Sequence, residues 1–550
     1  MSPFLARPRP LDPLSIPHLE RMIPMHRRTV PSSPFRRVHL LAPAVAALGA
    51  LGLLAACGGG ESAGEPDVTE LHVGYNAQPP SLDPHMSTAN ATADFMRGVF
   101  EPLVALDEND EVQPVLASDM VPNEDYSEIT FTILEKPMHD GSTLDSTDVK
   151  DSIERWQASS PAGSYFADVT WETPDDRTLV FSSPEPFYSA LTLLADPSQF
   201  PAVMSSEAIA AAGPEGLTEF VGTGPYSFVE WADNQYVHLE MFADYQAVEN
   251  EYGNIAGTRE PVYENIYFDI VPDANTRLAG LQTGEYDIIT QVLPDQKPQL
   301  ENDPTIEMVT KPGGIAGPVF NKAPGQIFAD ENMRHAVVAG TDVEEALRGA
   351  YAAEDNYILN GSLGFEDTPW YAEPGEEYAG ADVQKAQEYL DAAGYDGEPV
   401  KLIATRDYVD HYDAGVVVEQ QMKDLGIDVT LEVYDWPTVL QMASEESATD
   451  MYMSSWAPAA IPTKYTFMST LGNGVTDDPD LFAAVDAVHH APSAEAAQAA
   501  MPALQEEFDR YLPMMKLGDY TSTVAWSTEI ANVETPLGVT AIYADIAPVE

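Results

Sequence analysis

Few side chains in this sequence are arranged to make or break bonds. G-x-S-x-G occurs once, as Gly60-Glu61-Ser62-Ala63-Gly64 in the Gly-rich run just after Cys57, where no strand precedes it and no helix pattern follows, and H-E-x-x-H does not occur, so neither a serine hydrolase in its required setting nor a zinc protease is indicated. The 11 histidines are scattered, and only His489-His490 adjoin. That pair lies in an Ala-rich stretch that reads as helix, where neighbouring residues do not face one ligand, so a solvated surface is expected and no metal site is assigned. His139-Asp140 could be an acid-base pair, but with Gly141 following it reads as a tight turn in which Asp bonds its own backbone. Gly222-Thr223-Gly224-Pro225 has the glycines of a phosphate loop and lacks the Lys-Ser or Lys-Thr that would meet a phosphate. With 89 Asp and Glu residues, close carboxylates arise by chance, so acid pairs carry no information about glycoside chemistry. No catalytic residue and no cofactor motif emerges.

Cys57 is the single cysteine, so no disulfide forms within the chain. It ends an uncharged apolar run over residues 40–56, preceded by Arg27, Arg28, Arg36 and Arg37. Seventeen residues lie at the bottom of the membrane-spanning range, and Gly58-Gly59-Gly60-Glu61 follows in place of a basic flank, so the run reads as an export signal. Leu54-Ala55-Ala56-Cys57 is similar to the lipobox of bacterial lipoproteins. That similarity implies removal of residues 1–56 as a signal peptide, a lipid on the Cys57 thiol, and a flexible Gly/Ser/Glu/Pro tether through residue 67.

At 550 residues the length suggests about three to four compact units. With 44% hydrophobic residues there is ample material for a core, although Lys and Arg number 26 against 89 acids. The first 57 residues hold seven of the bases and two of the acids, which leaves 19 bases against 87 acids, a net charge of −68, on the remainder. Such a surface repels nucleic acid and anionic lipid, so contact with nucleic acid is not expected and contact with membrane is expected only through the anchor. Only 10 of the bases are lysine, and this acid-rich, lysine-poor balance looks like that of proteins from salt-loving organisms.

The elements that must carry a binding site are partly readable. Leu71, Val73 and Tyr75 alternate with His72 and Gly74, the period of a strand, which Pro79-Pro80 ends. Residues 129–134 form a second strand, followed by the turn at 139–141 and a helix with Val149, Ile153 and Trp156 on one face and Ser146 or Thr147 as its cap. Residues 400–404 read as a strand, 416–425 as a helix stopped by Gly426, and 427–433 as a strand, a unit whose connection should be right-handed. Another helix runs from its cap Asp382 to Gly394, and Asp273 caps a helix over 274–282. Alternating helices and strands give the α/β class.

Several blocks carry a resemblance that extends, in order and spacing, from about residue 68 to 520. They include Leu71-His72-Val73-Gly74-Tyr75 with Ser81-Leu82-Asp83-Pro84-His85, Val99-Phe100-Glu101-Pro102-Leu103, and Phe131 to Trp156 with His139-Asp140-Gly141-Ser142. Gly222-Thr223-Gly224-Pro225-Tyr226, Pro272-Asp273-Ala274-Asn275-Thr276-Arg277 and Met333-Arg334-His335-Ala336 continue the series. Together they resemble the extracellular solute-binding proteins, family 5, which include oligopeptide, dipeptide and nickel receptors of ABC importers. The resemblance implies a two-lobed, periplasmic-binding-protein-like (class II) fold with an extra subdomain inserted in lobe I. Lobe I would comprise residues 68–100, 220–310 and 511–550, the inserted subdomain 101–219, and lobe II 311–510. It implies a monomeric, non-enzymatic receptor on the outer face of the cytoplasmic membrane that closes on a peptide or similar small organic solute and delivers it to the transmembrane subunits of an ABC permease. A chelated metal, a glycoside or an amine-like solute are the alternative ligands.

The same resemblance nominates Trp456, within Met451-Tyr452-Met453-Ser454-Ser455-Trp456, and Trp436, twenty residues earlier, as ligand-lining residues. Tryptophan covers varied ligands with a broad apolar face, while core packing is the other use of such a ring. Tyr75, Asn76 and Gln78 after the first strand, and Asn321 at the end of 317–321, are further candidates. One departure stands out: peptide receptors of the family carry an aspartate about three residues after that tryptophan, and here the position is Ala459. A buried ammonium without a carboxylate is costly, so a ligand with a free amino end needs another acid, which the sequence does not nominate.

Overall fold

Two long strands, Ile306–Phe320 and Gly518–Ser527, pair antiparallel through the middle of the molecule and tie its two halves into one sheet. The computed structural model describes residues 69–366, 368–375, 381–445, 448–469 and 474–549. Cys57, the signal segment and the tether lie outside the described residues. Among the described residues eleven strands form the sheet. Its order from one edge is Val429–Tyr434, Val400–Thr405, Met451–Trp456, Ile306–Phe320, Gly518–Ser527, Ile288–Ile289, Glu70–Tyr75, Asn265–Ile270, Tyr236–Met241 and Tyr226–Ala232, with Tyr357–Ile358 attached beside Gly518–Ser527.

Within the first half, Glu70–Tyr75 runs parallel to both Asn265–Ile270 and Ile288–Ile289. In the second half, Val400–Thr405 runs parallel to both Val429–Tyr434 and Met451–Trp456. Each half buries its own core, Leu71, Phe95, Phe100 and Phe268 in the first and Phe328, Leu347, Leu402 and Val418 in the second. This is the two-lobed α/β fold expected.

The long strand Ile306–Phe320 bends where it passes between the lobes, with a register shift between Pro312 and Gly314. Gly314 has φ +140°, and a Cβ there would overlap the carbonyl oxygen of Trp456, so only glycine fits. Its neighbour Gly313 leaves room for the ring of Tyr520.

A separate four-stranded antiparallel sheet, Ala117–Pro122, Glu128–Ile133, Thr178–Ser182 and Thr170–Asp175, lies in the 101–219 stretch. The helix Ser146–Ser159 packs on it through Val149, Ile153 and Trp156. Its cap is Asp145 in place of the expected Ser146 or Thr147. The Asp145 side chain accepts from Thr147 and Asp148 N–H, and Asp148 answers by accepting from the Asp145 N–H. The turn at His139-Asp140-Gly141 is as expected, with φ +84° at Gly141. His139 bonds through its ring to Gly224 O at 3.0 Å and accepts from Gly222 N–H at 3.2 Å, so the two glycine- and histidine-bearing motifs hold each other.

This stretch also reaches lobe II. Asp196 pairs with Lys464 Nζ at 2.6 Å and accepts from Ala460 N–H at 2.7 Å, with both side chains buried. Tyr165 Oη donates to Thr463 O at 2.9 Å. The solvated surface expected for His489-His490 is corrected here. His489 is 1% exposed and bonds Ser189 Oγ at 2.6 Å, because the helix Pro479–His489 packs into the same interface, and His490 Nδ1 meets Pro186 O at 2.9 Å.

Candidate ligand site

The parallel strands Val400–Thr405, Val429–Tyr434 and Met451–Trp456 end on one side of lobe II, and two of them run directly into helices, Val409–Asp424 and Trp436–Ser444. Carboxyl ends of parallel strands are where open α/β sheets bind ligands, because side chains and helix N-termini converge there. At this edge Tyr408 and His411 each lie within 5.4 Å, centroid to centroid, of Trp436. Asp407 fixes the start of the second helix by accepting from the Trp436 N–H at 2.7 Å. His411 Nε2 meets Ser455 Oγ at 2.9 Å, which joins the first helix to the third strand.

Trp456 closes that strand. Its register partner is Ile315, the residue after Gly314 in the long strand, so this ring sits beside the bend between the lobes. Its indole N–H donates to Thr466 Oγ1 at 3.0 Å, and Phe467 meets it edge-on at 4.9 Å. Tyr520, on Gly518–Ser527, stacks on Tyr351 at 5.7 Å, and Tyr351 Oη donates to Asp410 Oδ2 at 3.0 Å. Aromatic rings are thus found in three groups, Tyr408 with His411 and Trp436, Trp456 with Phe467, and Tyr351 with Tyr520.

Burial sets the charges here. It pushes the Tyr408 phenol up to about 12, and raises the phenols of Tyr351 and Tyr520 with the Asp410 carboxylate adding to the effect. It lowers the pKa of His411, which is 2% exposed, so the imidazole is neutral at pH 7. Such a site can enclose an apolar or aromatic group and offer hydroxyls. Among the described residues no group of three His, Cys, Asp or Glu side chains is placed to hold a metal ion.

Of the residues nominated from sequence, Trp436 and Trp456 fall at this edge, both half-buried. Tyr75 is 4% exposed and its hydroxyl donates to Asp94 at 2.7 Å inside lobe I. Asn321 is buried and its amide donates to Thr449 O at 2.7 Å, holding the loop before Met451–Trp456. Gln78 spans to the Tyr226–Met241 hairpin turn through Asp233 at 2.8 Å, and Asn76 bonds Gln291 at 3.2 Å. Tyr75 and Asn321 are therefore committed to the interior, while Asn76 stands at the carboxyl end of Glu70–Tyr75. Sequence reasoning missed Tyr408, Asp410, His411 and Tyr520. The first three follow directly on a strand that was readable, so the strand-to-helix junction itself was the usable signal.

Residues 111–478 match the family described as bacterial extracellular solute-binding proteins, family 5. A probable peptide ABC transporter periplasmic-binding protein of Sinorhizobium fredii is 23% identical over 419 residues, covering 72% of this chain and 76% of its own. The glutathione-binding protein GsiB of Salmonella paratyphi A is 24% identical over 429 residues, with 74% and 78% covered. The structure of the periplasmic binding protein DppA from Helicobacter pylori, solved with the peptide STSA, superposes with a TM-score of 0.76 at 20% identity, covering 87% of this chain and 98% of that one. No helix of the described residues is long and apolar enough to cross a membrane. With the family match spanning most of the described chain, on a fold shared with other binding proteins of this kind, the protein belongs to the bacterial extracellular solute-binding proteins of family 5, non-enzymatic receptors that serve ABC transporters.

Proposed function

We propose that the protein captures a short peptide, or an organic solute of similar size, between its lobes and passes it to an ABC permease. The observation that supports this most directly is the placement of Tyr408, Trp436 and Trp456 at the carboxyl ends of the parallel strands Val400–Thr405, Val429–Tyr434 and Met451–Trp456, with Trp456 beside the bend in Ile306–Phe320. Rings that present area without demanding one partner suit varied side chains. Relatives named for peptides and for glutathione support the same ligand size. Ala459, in place of the usual acid, favours a second reading in which the ligand is not an ordinary peptide.

In this reading lobe I comprises 68–100, 220–310 and 511–550, with 101–219 inserted and 311–510 as lobe II, and the receptor works as a monomer. Scattering from the protein before and after loading with a retained solute should give a smaller radius when loaded. An unchanged radius at saturation, or release of a chemically altered solute, would reject a closing receptor. We further place the lipid on Cys57, because it alone follows an apolar run and Leu54-Ala55-Ala56. Cys57→Ser should move the protein from the membrane fraction to the medium; a variant as firmly bound as the parent ends the anchor assignment.

A further inference from the structure

We infer that Asp410 is the carboxylate that receives the ammonium group of the ligand, which makes the site selective for solutes with a free amine. The inference rests on the reading of this edge as the ligand site and adds to it the charge that the ligand carries.

Asp410 stands in the first turn of the helix Val409–Asp424, directly beyond the strand Val400–Thr405. Its side chain is 25% exposed, so it is accessible and only partly hydrated. One oxygen accepts from Tyr351 Oη at 3.0 Å, and its charge helps to raise the pKa of the Tyr408 and Tyr520 phenols, so the carboxylate lies near the aromatic groups of the site. A partly desolvated carboxylate with one oxygen bonded and no charged partner among the described residues suits an ammonium, for which it supplies the counter-charge.

His411 Nε2 lies 4.0 Å from Asp410 Oδ2, but burial keeps that imidazole neutral and its Nε2 is engaged with Ser455. The nearby guanidinium of Arg406 lies over the Tyr412 ring at 3.7 Å. Among the described residues no Lys or Arg pairs with Asp410. By contrast, Asp196 and Asp519, each almost fully buried, are paired with Lys464 and Lys516 at 2.6 Å. A favourable effect on the helix dipole accounts for an acid in the first turn, and it does not account for the tyrosine bond. The acid absent at position 459 is thus supplied from a different element.

The test uses the full-length protein with trialanine and N-acetyl-trialanine as probes in calorimetry. Wild type should bind the free-amine peptide about 10- to 100-fold more tightly than its acetylated form, the range of a hydrogen bond to a charged group. Asp410→Asn should remove that preference and leave binding of the acetylated peptide unchanged. Asp413→Asn takes the same charge from the same helix and should keep the preference. Equal binding of both peptides by wild type overturns the inference, as does a preference that survives Asp410→Asn or is lost equally in both variants. If neither peptide binds, the peptide reading fails and a second arm decides on Asp410. Wild type and Asp410→Asn are exposed to yeast extract before and after acetylation of the extract's amines with acetic anhydride, and captured solutes are weighed by native mass spectrometry. Capture by wild type that ends both on acetylation and on Asp410→Asn supports the role of Asp410, capture that survives either change overturns that role, and no capture from either extract rejects both readings.

Discussion

His489 and His85 are neutral because they are buried. His489 leaves Nε2 without a partner and His85 leaves Nδ1 without one, and burial lowers the pKa of each from 6.5 to about 3. In the unfolded chain both take a proton near 6.5, so between 6.5 and 3 the unfolded state binds more protons than the folded one. Their contribution to stability is complete above about pH 6.5 and is lost as pH falls, by about 1.4 kcal/mol per pH unit for each residue. Thermal midpoints at pH 7, 6 and 5 should therefore fall less steeply in His489→Asn than in wild type. Parallel slopes would mean that His489 is protonated inside the fold. At this scale the candidate site was half legible. Trp436 and Trp456 could be found because one short segment carries a family pattern. Tyr351, Asp410 and Tyr520 could not, because they come together only through strand order, from positions up to 169 residues apart in the sequence.

Elements with strong end signals were read closely. The helix Val383–Ala393 is bounded by Asp382, which accepts from Lys385 N–H, and by Gly394 in the left-handed region, as expected. The helix Val409–Asp424 begins seven residues before its expected start, because its cap is Tyr408, whose side chain makes no capping bond and gives no signal. The strand Ile306–Phe320 was not read at all: Lys311-Pro312-Gly313-Gly314 resembles a turn, and pairing with Gly518–Ser527 overrides that local preference. The bend at these residues sets a prediction. Gly314→Ala puts a methyl group into the Trp456 carbonyl and strains a φ of +140°, and should destabilise by about 1–3 kcal/mol in urea denaturation. Gly426→Ala, at φ +89° with open space around it, should cost about 1–2 kcal/mol from conformation alone, at or below the Gly314 effect. A larger loss at Gly426 would show that the bend tolerates a side chain.

Across the whole molecule two electrostatic effects oppose each other. The pair Asp196–Lys464 is buried between the inserted stretch and lobe II, so removing one partner strands the other charge. Lys464→Met should destabilise by about 3–5 kcal/mol, and adding Asp196→Leu should recover part of that loss, since an apolar replacement of the whole pair avoids an unpaired charge. Strictly additive losses would mean that the two do not act as a pair. The surface works the other way. A formal net charge of −63 raises the energy of the compact state, and screening weakens as the Debye length grows from about 3 Å at 1 M salt to about 30 Å at 0.01 M. Thermal midpoints should therefore rise steeply with sodium chloride, and rise further than a neutral osmolyte can produce. A flat response would remove the case for a saline native setting, which rests on composition alone.

The long antiparallel pair also fixes when the fold can form. Glu70–Tyr75 needs Asn265–Ile270 on one side and Ile288–Ile289 on the other, and Ile288–Ile289 in turn needs Gly518–Ser527. The centre of the sheet thus waits for residues within the last 33 of the sequence. A chain emerging from the ribosome or from a translocation pore presents its first strand hundreds of residues before the partners that bury it. The order of synthesis therefore runs against the order of assembly, and this sheet can close only after Gly518–Ser527 has been made.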